Sequence, residues 1–378
     1  CRAPHATILE LAPGRRRGAG QVRGGETIML ERLMDALESR LDAAVEEDVE
    51  SAWKTFWDGR CPEKLFCPQR RRRLPPRTHW SDVRVNATLD SIETMAVQQL
   101  YGVSYALDIG AGCLLNIRAN YGTGILSSIC GAEIFRMDEG YNTLPTTVPL
   151  AGGIEGVKRL LGRGVPDLTA GWGGVCLDAY RFLAERMAPY PKLSRYVWFY
   201  HPDLQGPMDI VELLWGSSLF LDLLDNPDVV HELLGLVTDT YIRFYREWER
   251  IIPPRDAVWT AHWGMMLRGR LMLRDDSAMN LSPAMFETFI QPYDQRLLET
   301  LGGGAIHFCG RGDHYIGHAA SLRGLTAINV SQPHLNDMEQ IFRHTVDKGI
   351  RLLNLRRDAA EAALARGRDL HGRVHVAG

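Results

Sequence analysis

The segment Gly302-Gly-Gly-Ala-Ile-His307-Phe-Cys309-Gly310 places two soft metal ligands at the end of a short apolar run bounded by glycines. Such a run is the usual form of a parallel strand covered on both faces. Alternate residues of a strand share a face, so the His307 imidazole and the Cys309 thiol project from the same side. An imidazole and a thiolate converging from one strand end make half of a zinc site. An isolated His-x-Cys is more often a hydrogen-bonded core histidine beside a buried cysteine, so its position in the fold has to decide.

The chain has 378 residues, 45% of them hydrophobic, which suits a single large α/β barrel. Strand-like apolar runs fall at 113–121, 195–201, 257–263, 270–274, 305–309, 325–330, 350–355 and 373–377. Helical patterns lie between most of them, at 173–188, 209–223, 227–250, 283–301, 313–322, 336–348 and 358–368. This alternation predicts a (β/α)8 TIM barrel. A doubly wound sheet is the alternative, disfavoured because no Gly-x-Gly-x-x-Gly loop opens a helix after an early strand. Residues 1–28 read as a low-complexity Arg/Gly/Pro leader, disordered or non-native, with Met29 or Met34 as the expected start. Residues 29–101 read as an N-terminal helical segment with helices at 29–58 and 86–101, and 102–378 as the barrel.

Barrels carry their chemistry at the carboxyl ends of the strands. Those ends present Tyr121, His201 with Asp203, His262, Asp275 with Asp276, His307 with Cys309, Asn329 with Ser331 and Gln332, Asn354, and His375. Each alone is an ordinary loop residue. Their coincidence at strand ends is what favours an enzyme.

The net charge of -3 gives no electrostatic reason to expect nucleic acid. Seven scattered cysteines fit a reducing compartment better than a disulfide scaffold. Without a long apolar run or a signal-peptide pattern, no membrane association is expected, and the cytoplasm is the default location. The run Arg70 to Arg73 sits in a Pro-rich segment that reads as a solvated loop.

Several motifs carry a family resemblance: Tyr121-Gly-Thr-Gly124, Asp203-Leu-Gln-Gly-Pro-Met-Asp209, Arg274-Asp-Asp276 with Leu281-Ser-Pro283, Gln291-Pro-Tyr-Asp294, Ile306-His-Phe-Cys-Gly310 and Asn329-Val-Ser-Gln-Pro333. Over residues 80–378 the chain resembles the uroporphyrinogen decarboxylase superfamily, closer to its corrinoid-dependent branch of methylcobalamin:coenzyme M type methyltransferases. The resemblance implies a (β/α)8 barrel and zinc bound by His-x-Cys plus a later Cys. His307 and Cys309 match the first two ligands, but no cysteine follows Cys309. His375 is the expected substitute, with His371, or Asp313 with His314 and His318, as other completions. It further implies cobalamin as methyl carrier on a partner corrinoid protein, and a thiol or a methylated small molecule as substrate. Asp276, Asp203 and His262 are the acid–base candidates, and Tyr121, Gln205 and Gln332 the cofactor-binding candidates. Trp259, Trp263, Met265 and Met266 would line the mouth, if they are not plain packing.

The Arg-rich signature ending in Gln-Ala-Gly-Arg that marks the authentic decarboxylases is missing, so porphyrinogen decarboxylation is not expected. A decarboxylase of another polyacid is one rival, and it requires Arg118, Arg268, Arg270 and Arg311 to converge in the mouth. A catalytically silent ligand- or corrinoid-binding member is the other.

Overall fold

The computed structural model describes residues 23–70, 80 and 82–377. The chain is a mixed α/β protein with ten strands among these residues: β1 (Asn116–Ile117), β2 (Glu133–Phe135), β3 (Thr146–Val148), β4 (Trp198–Phe199), β5 (Trp259–His262), β6 (Met265–Arg268), β7 (Leu271–Arg274), β8 (Gly304–Phe308), β9 (Leu325–Val330) and β10 (Arg351–Leu352). The central sheet is parallel, in the order β10-β9-β8-β7. β1 pairs with β4 in parallel, while β2–β3 and β5–β6 are antiparallel hairpins.

The register of the central sheet explains how the site is built. Met272, Ala305 and Ala327 lie opposite one another across β7, β8 and β9. They share a buried cluster with Trp53, Phe56, Trp57, Phe66, Met266 and Leu353. Their strand neighbours Leu271, Leu273, Ile306 and Ile328 belong instead to the larger cluster formed with the surrounding helices. The period of two therefore sorts each strand into an inner and an outer face. One layer further along the inner face come Arg274, His307 and Asn329, again in register.

The helix Ala43–Trp57, N-capped by the Asp42 carboxylate, closes the opposite end. Its Trp53 indole donates to the Gly112 carbonyl at 2.9 Å, and its Trp57 indole to the Met266 carbonyl at 3.0 Å. The indole N–H groups of Trp53 and Trp57 thus both find acceptors, which offsets the cost of burying them.

The eight-stranded expectation is met only in part, and a complete barrel is not formed by the described residues. The run at 257–263 is one arm of the β5–β6 hairpin, because Trp263 and Gly264 both adopt positive φ (48° and 77°). Positive φ at both central residues makes a two-residue hairpin turn. A Cβ on Gly264 would lie 2.8 Å from Cys113 Cβ, so this corner accepts only glycine. The run at 373–377 contributes single bridges at Val374 and His375.

Helices fall near the expected places. Trp172–Met187 and Pro227–Ile251 match the periodicity closely, whereas 313–322 shrinks to Ile316–Ala319. The first helix runs Arg23–Arg40 and the second starts at Ala43, so the pattern at 29–58 is two helices. Residues 1–22 of the expected leader, and Arg71 to Arg73, lie outside the described residues. Arg70 corrects the reading of a solvated run: it is buried and bound through both Nε and Nη2 to the Glu46 carboxylate. Among the described residues no helix is long and apolar enough to cross a membrane, and the six cysteines are free thiols.

Candidate metal centre

Asp276, His307 and Cys309 bring one ligand atom each to within 4.8 Å of the others. Cys309 Sγ lies 3.5 Å from His307 Nε2, which lies 3.7 Å from Asp276 Oδ1. Cys309 and Asp276 follow His307 and Arg274 by two residues, so they extend the inner-face alternation past the strand ends. The Cys309 backbone N–H donates to Asp276 Oδ1 at 2.8 Å and ties the two loops together.

The imidazole is preset as a ligand. Asn329 Nδ2 donates to the Leu353 carbonyl at 2.6 Å, which turns Oδ1 toward His307 Nδ1, also at 2.6 Å. Facing an acceptor, Nδ1 must carry the proton, and Nε2 is left as the lone pair aimed at Cys309 and Asp276. Burial holds the His307 pKa below its usual value, so the ring is neutral at pH 7. Burial, with Asp276 beside it, pushes the Cys309 thiol up to about 11, and its S–H faces the Ser331 hydroxyl at 3.6 Å. A thiol this reluctant to ionise needs a nearby cation to become a thiolate. A neutral imidazole, a cysteine and a carboxylate fit a zinc ion with an open coordination position.

The structure assigns His375 elsewhere. Its ring packs on Trp53 with centroids 4.6 Å apart, at the plugged end, and its Nδ1 accepts from the Asn354 backbone N–H at 3.0 Å. Asp276 occupies the third place instead of the expected His375, because strand alternation carries Asp276 to the open end. His371 pairs with Asp347, while His314 Nε2 bonds the Leu281 carbonyl and Asp313 caps Asp337 N–H, so these do not complete the site either.

Asp203 and His262 lie beside the centre in a buried charge cluster. Asp203 pairs with both Arg118 and Arg274, and Arg118 also reaches Asn120. Burial would raise the Asp203 pKa, but the Arg274 and Arg118 guanidinium groups outweigh it and hold the carboxyl below its usual range. His262 Nε2 sits 3.2 Å from Arg274, and burial with His201 and Arg274 nearby drives its pKa well down. A fixed carboxylate and a neutral imidazole without proton-exchange partners suit positioning better than acid catalysis. The Arg274 guanidinium stacks on Trp263, which meets His307 edge-on at 5.0 Å. Trp263 thus reaches the centre through its strained positive-φ turn.

Gln332 Oε1 accepts the Gly310 N–H at 2.6 Å and shapes the loop after Cys309. Gln205 lines a cavity of 530 Å³ that also has Asp276 in its wall. Tyr121 is a fully buried residue stacked on Trp172, 5.0 Å between centroids. Of the four arginines required by the decarboxylase reading only Arg118 is here: Arg268 is exposed, Arg270 bonds the Ala257 carbonyl, and Arg311 pairs with Asp313 at the surface.

Two functional features were not legible in the sequence: the lock on His307 by Asn329, and the Arg118–Asp203–Arg274 cluster. His201, another strand-end residue, proves to be a clasp, accepting the Met272 N–H at Nε2 (3.1 Å) and facing the Pro202 carbonyl at Nδ1. The Gly206-Pro207 motif has a packing cause: a Cβ on Gly206 would meet the Arg274 carbonyl and Asp275 Oδ1 at 2.6 Å each.

No protein-family model matches the chain, and no curated protein matches it. Among solved structures it is similar to a methyltransferase from Methanosarcina mazei, at 17% identity and a TM-score of 0.55, over 78% of this chain and 81% of that one. At that identity the likeness is one of fold.

Proposed function

We propose that this protein is a zinc-assisted methyltransferase that moves a methyl group between a corrinoid, carried by a partner corrinoid protein, and a thiol or methylated small molecule. The observation that carries the reading is the convergence of Asp276, His307 and Cys309 at the open end of the parallel strands. Support for methyl transfer comes from the resemblance of the sequence motifs and from the fold shared with a methyltransferase. A zinc ion held there would supply Lewis acidity toward a substrate thiol or leaving group.

The chain's own residues then have distinct tasks. Asn329 keeps the His307 proton on Nδ1, so that Nε2 stays a ligand. Asp276 orients the Cys309 loop through its backbone N–H. Arg274, fixed by Asp203, holds Trp263 against the imidazole and limits water at that side.

The test is elemental analysis of the purified protein and its Cys309→Ser variant, followed by a methyl-transfer assay with methylcobalamin and a thiol. One zinc per chain in the parent, far less in the variant, and thiol methylation only in the parent is the expected result. Absence of zinc from a correctly folded parent would leave His307 and Cys309 as core residues and defeat the proposal.

A further inference from the structure

Asp276 stands at the N-terminal end of the short 3-10 helix Ser277–Asn280, just past β7. An aspartate in that place ordinarily turns its carboxylate back onto the N–H groups of its own helix. Asp276 makes no such bond, and its backbone is helical (φ -69°, ψ -33°) where a capping residue is extended. Its Oδ1 instead accepts the Cys309 N–H at 2.8 Å and lies 3.7 Å from His307 Nε2. Another element holds the turn in its stead. The buried Asp209, on the helix Pro207–Trp215, accepts the Ser277 N–H at 2.7 Å through Oδ1 and the Asp276 N–H at 3.0 Å through Oδ2. One helical turn further along the same face, Glu212 accepts the Ser277 hydroxyl at 2.5 Å.

We infer that Asp209 is a positioning residue of the metal centre: by taking the N–H groups of Asp276 and Ser277, it leaves the Asp276 carboxylate free to face His307 and Cys309. This role rests on the proposed metal centre. Backbone N–H groups at a buried turn need an acceptor. Deprived of Asp209, this turn would draw on the nearest carboxylate in its own sequence, which is that of Asp276, since aspartate readily bonds local backbone N–H groups. Asp276 would then be lost to the metal. Burial, and after it the Asp276 and Asp275 carboxyls, push the Asp209 pKa well up. Its hold on the turn does not depend on charge, because a protonated carboxyl group retains acceptor capacity. Glu212 does not replace it, because Glu212 holds the Ser277 side chain and not the backbone.

Zinc affinity, measured by competition with a chromophoric chelator, tests this in the parent, Asp209→Ala, Asp276→Ala and the variant carrying both changes. Asp209→Ala should bind zinc roughly 10–100-fold more weakly than the parent, as expected for loss of an outer partner of a ligand. The double variant should match Asp276→Ala to within about twofold, because Asp209 acts on the metal only through Asp276. A merely structural role would give additive losses instead. Asp209→Asn has the same shape and keeps one acceptor oxygen, so it guards against a misfolded alanine variant; its affinity should fall between those of the parent and Asp209→Ala. Full zinc affinity in either folded Asp209 variant, or additive losses in the double variant, would overturn the role given to Asp209. A parent that binds no zinc defeats the metal centre and this role with it, whereas a zinc-binding parent with unaffected Asp209 variants defeats this role alone.

Discussion

His307 is held by Asn329 through a 2.6 Å hydrogen bond whose direction is decided by a third group, the Leu353 carbonyl. The three residues belong to β8, β9 and the segment after β10. A single chain of bonds across the sheet therefore fixes which imidazole nitrogen can meet a metal.

Removing that lock should weaken metal binding without emptying the site. In Asn329→Leu the ring loses its Nδ1 acceptor, so tautomer and orientation are no longer imposed. Metal affinity is expected to fall by roughly 10–100-fold, the usual effect of removing a ligand's outer hydrogen-bond partner. Competition against a chromophoric zinc chelator measures it, and an unchanged affinity would refute the role given to Asn329.

Gly206→Ala should destabilise the fold. The new Cβ has to displace the Arg274 backbone and the Asp275 carboxyl, both 2.6 Å away, and neither is the free end of a flexible side chain. Overpacking of this kind costs about 1–3 kcal/mol. In urea the midpoint should drop with little change in slope. A midpoint equal to the parent's would contradict the packing argument.

Acid should destabilise the protein through its buried histidines. Burial lowers His375 to about 3, and burial together with Arg274 lowers His201 to about 3. Unfolding releases both to an ordinary value near 6.5. Between about pH 6.5 and 3 the unfolded chain then binds more protons, so stability is full above this window and falls as pH drops through it. Each such histidine contributes a slope of about 1.4 kcal/mol per pH unit inside the window. His375→Asn keeps an acceptor for the Asn354 N–H and removes one titration. Denaturant midpoints measured from pH 7 to 4 should show a shallower decline in this variant, and parallel curves would refute the assignment.

Local patterning reveals a good part of this molecule. The glycine-bounded run 304–308 is a strand, its His and Cys share a face, and the long amphipathic stretches 173–188 and 227–250 are helices nearly to the residue. Asp276 was legible as a strand-end carboxylate, though as an acid–base candidate instead of a companion to His307 and Cys309. Other features depend on distant contacts. Trp263-Gly264 does not announce a hairpin, since Trp at positive φ is uncommon and the close approach of Gly264 to Cys113 is a contact between distant residues. Arg70 belongs to an Arg-rich run until Glu46, 24 residues earlier, takes it into the core.

By itself the sequence determined the strand and helix periods, and with them the face shared by His307 and Cys309, because side-chain direction along one element is a local property of the backbone. Only the tertiary structure decided the rest. It brought Asp276 to the pair from the end of a strand that lies 33 residues earlier and pairs with His307 at Arg274, sent His375 to the plugged end against Trp53, and set Asn329 to choose the proton's nitrogen. Which strands become neighbours, and at what height their ends stop, follows from how side chains far apart in the chain fill one common interior.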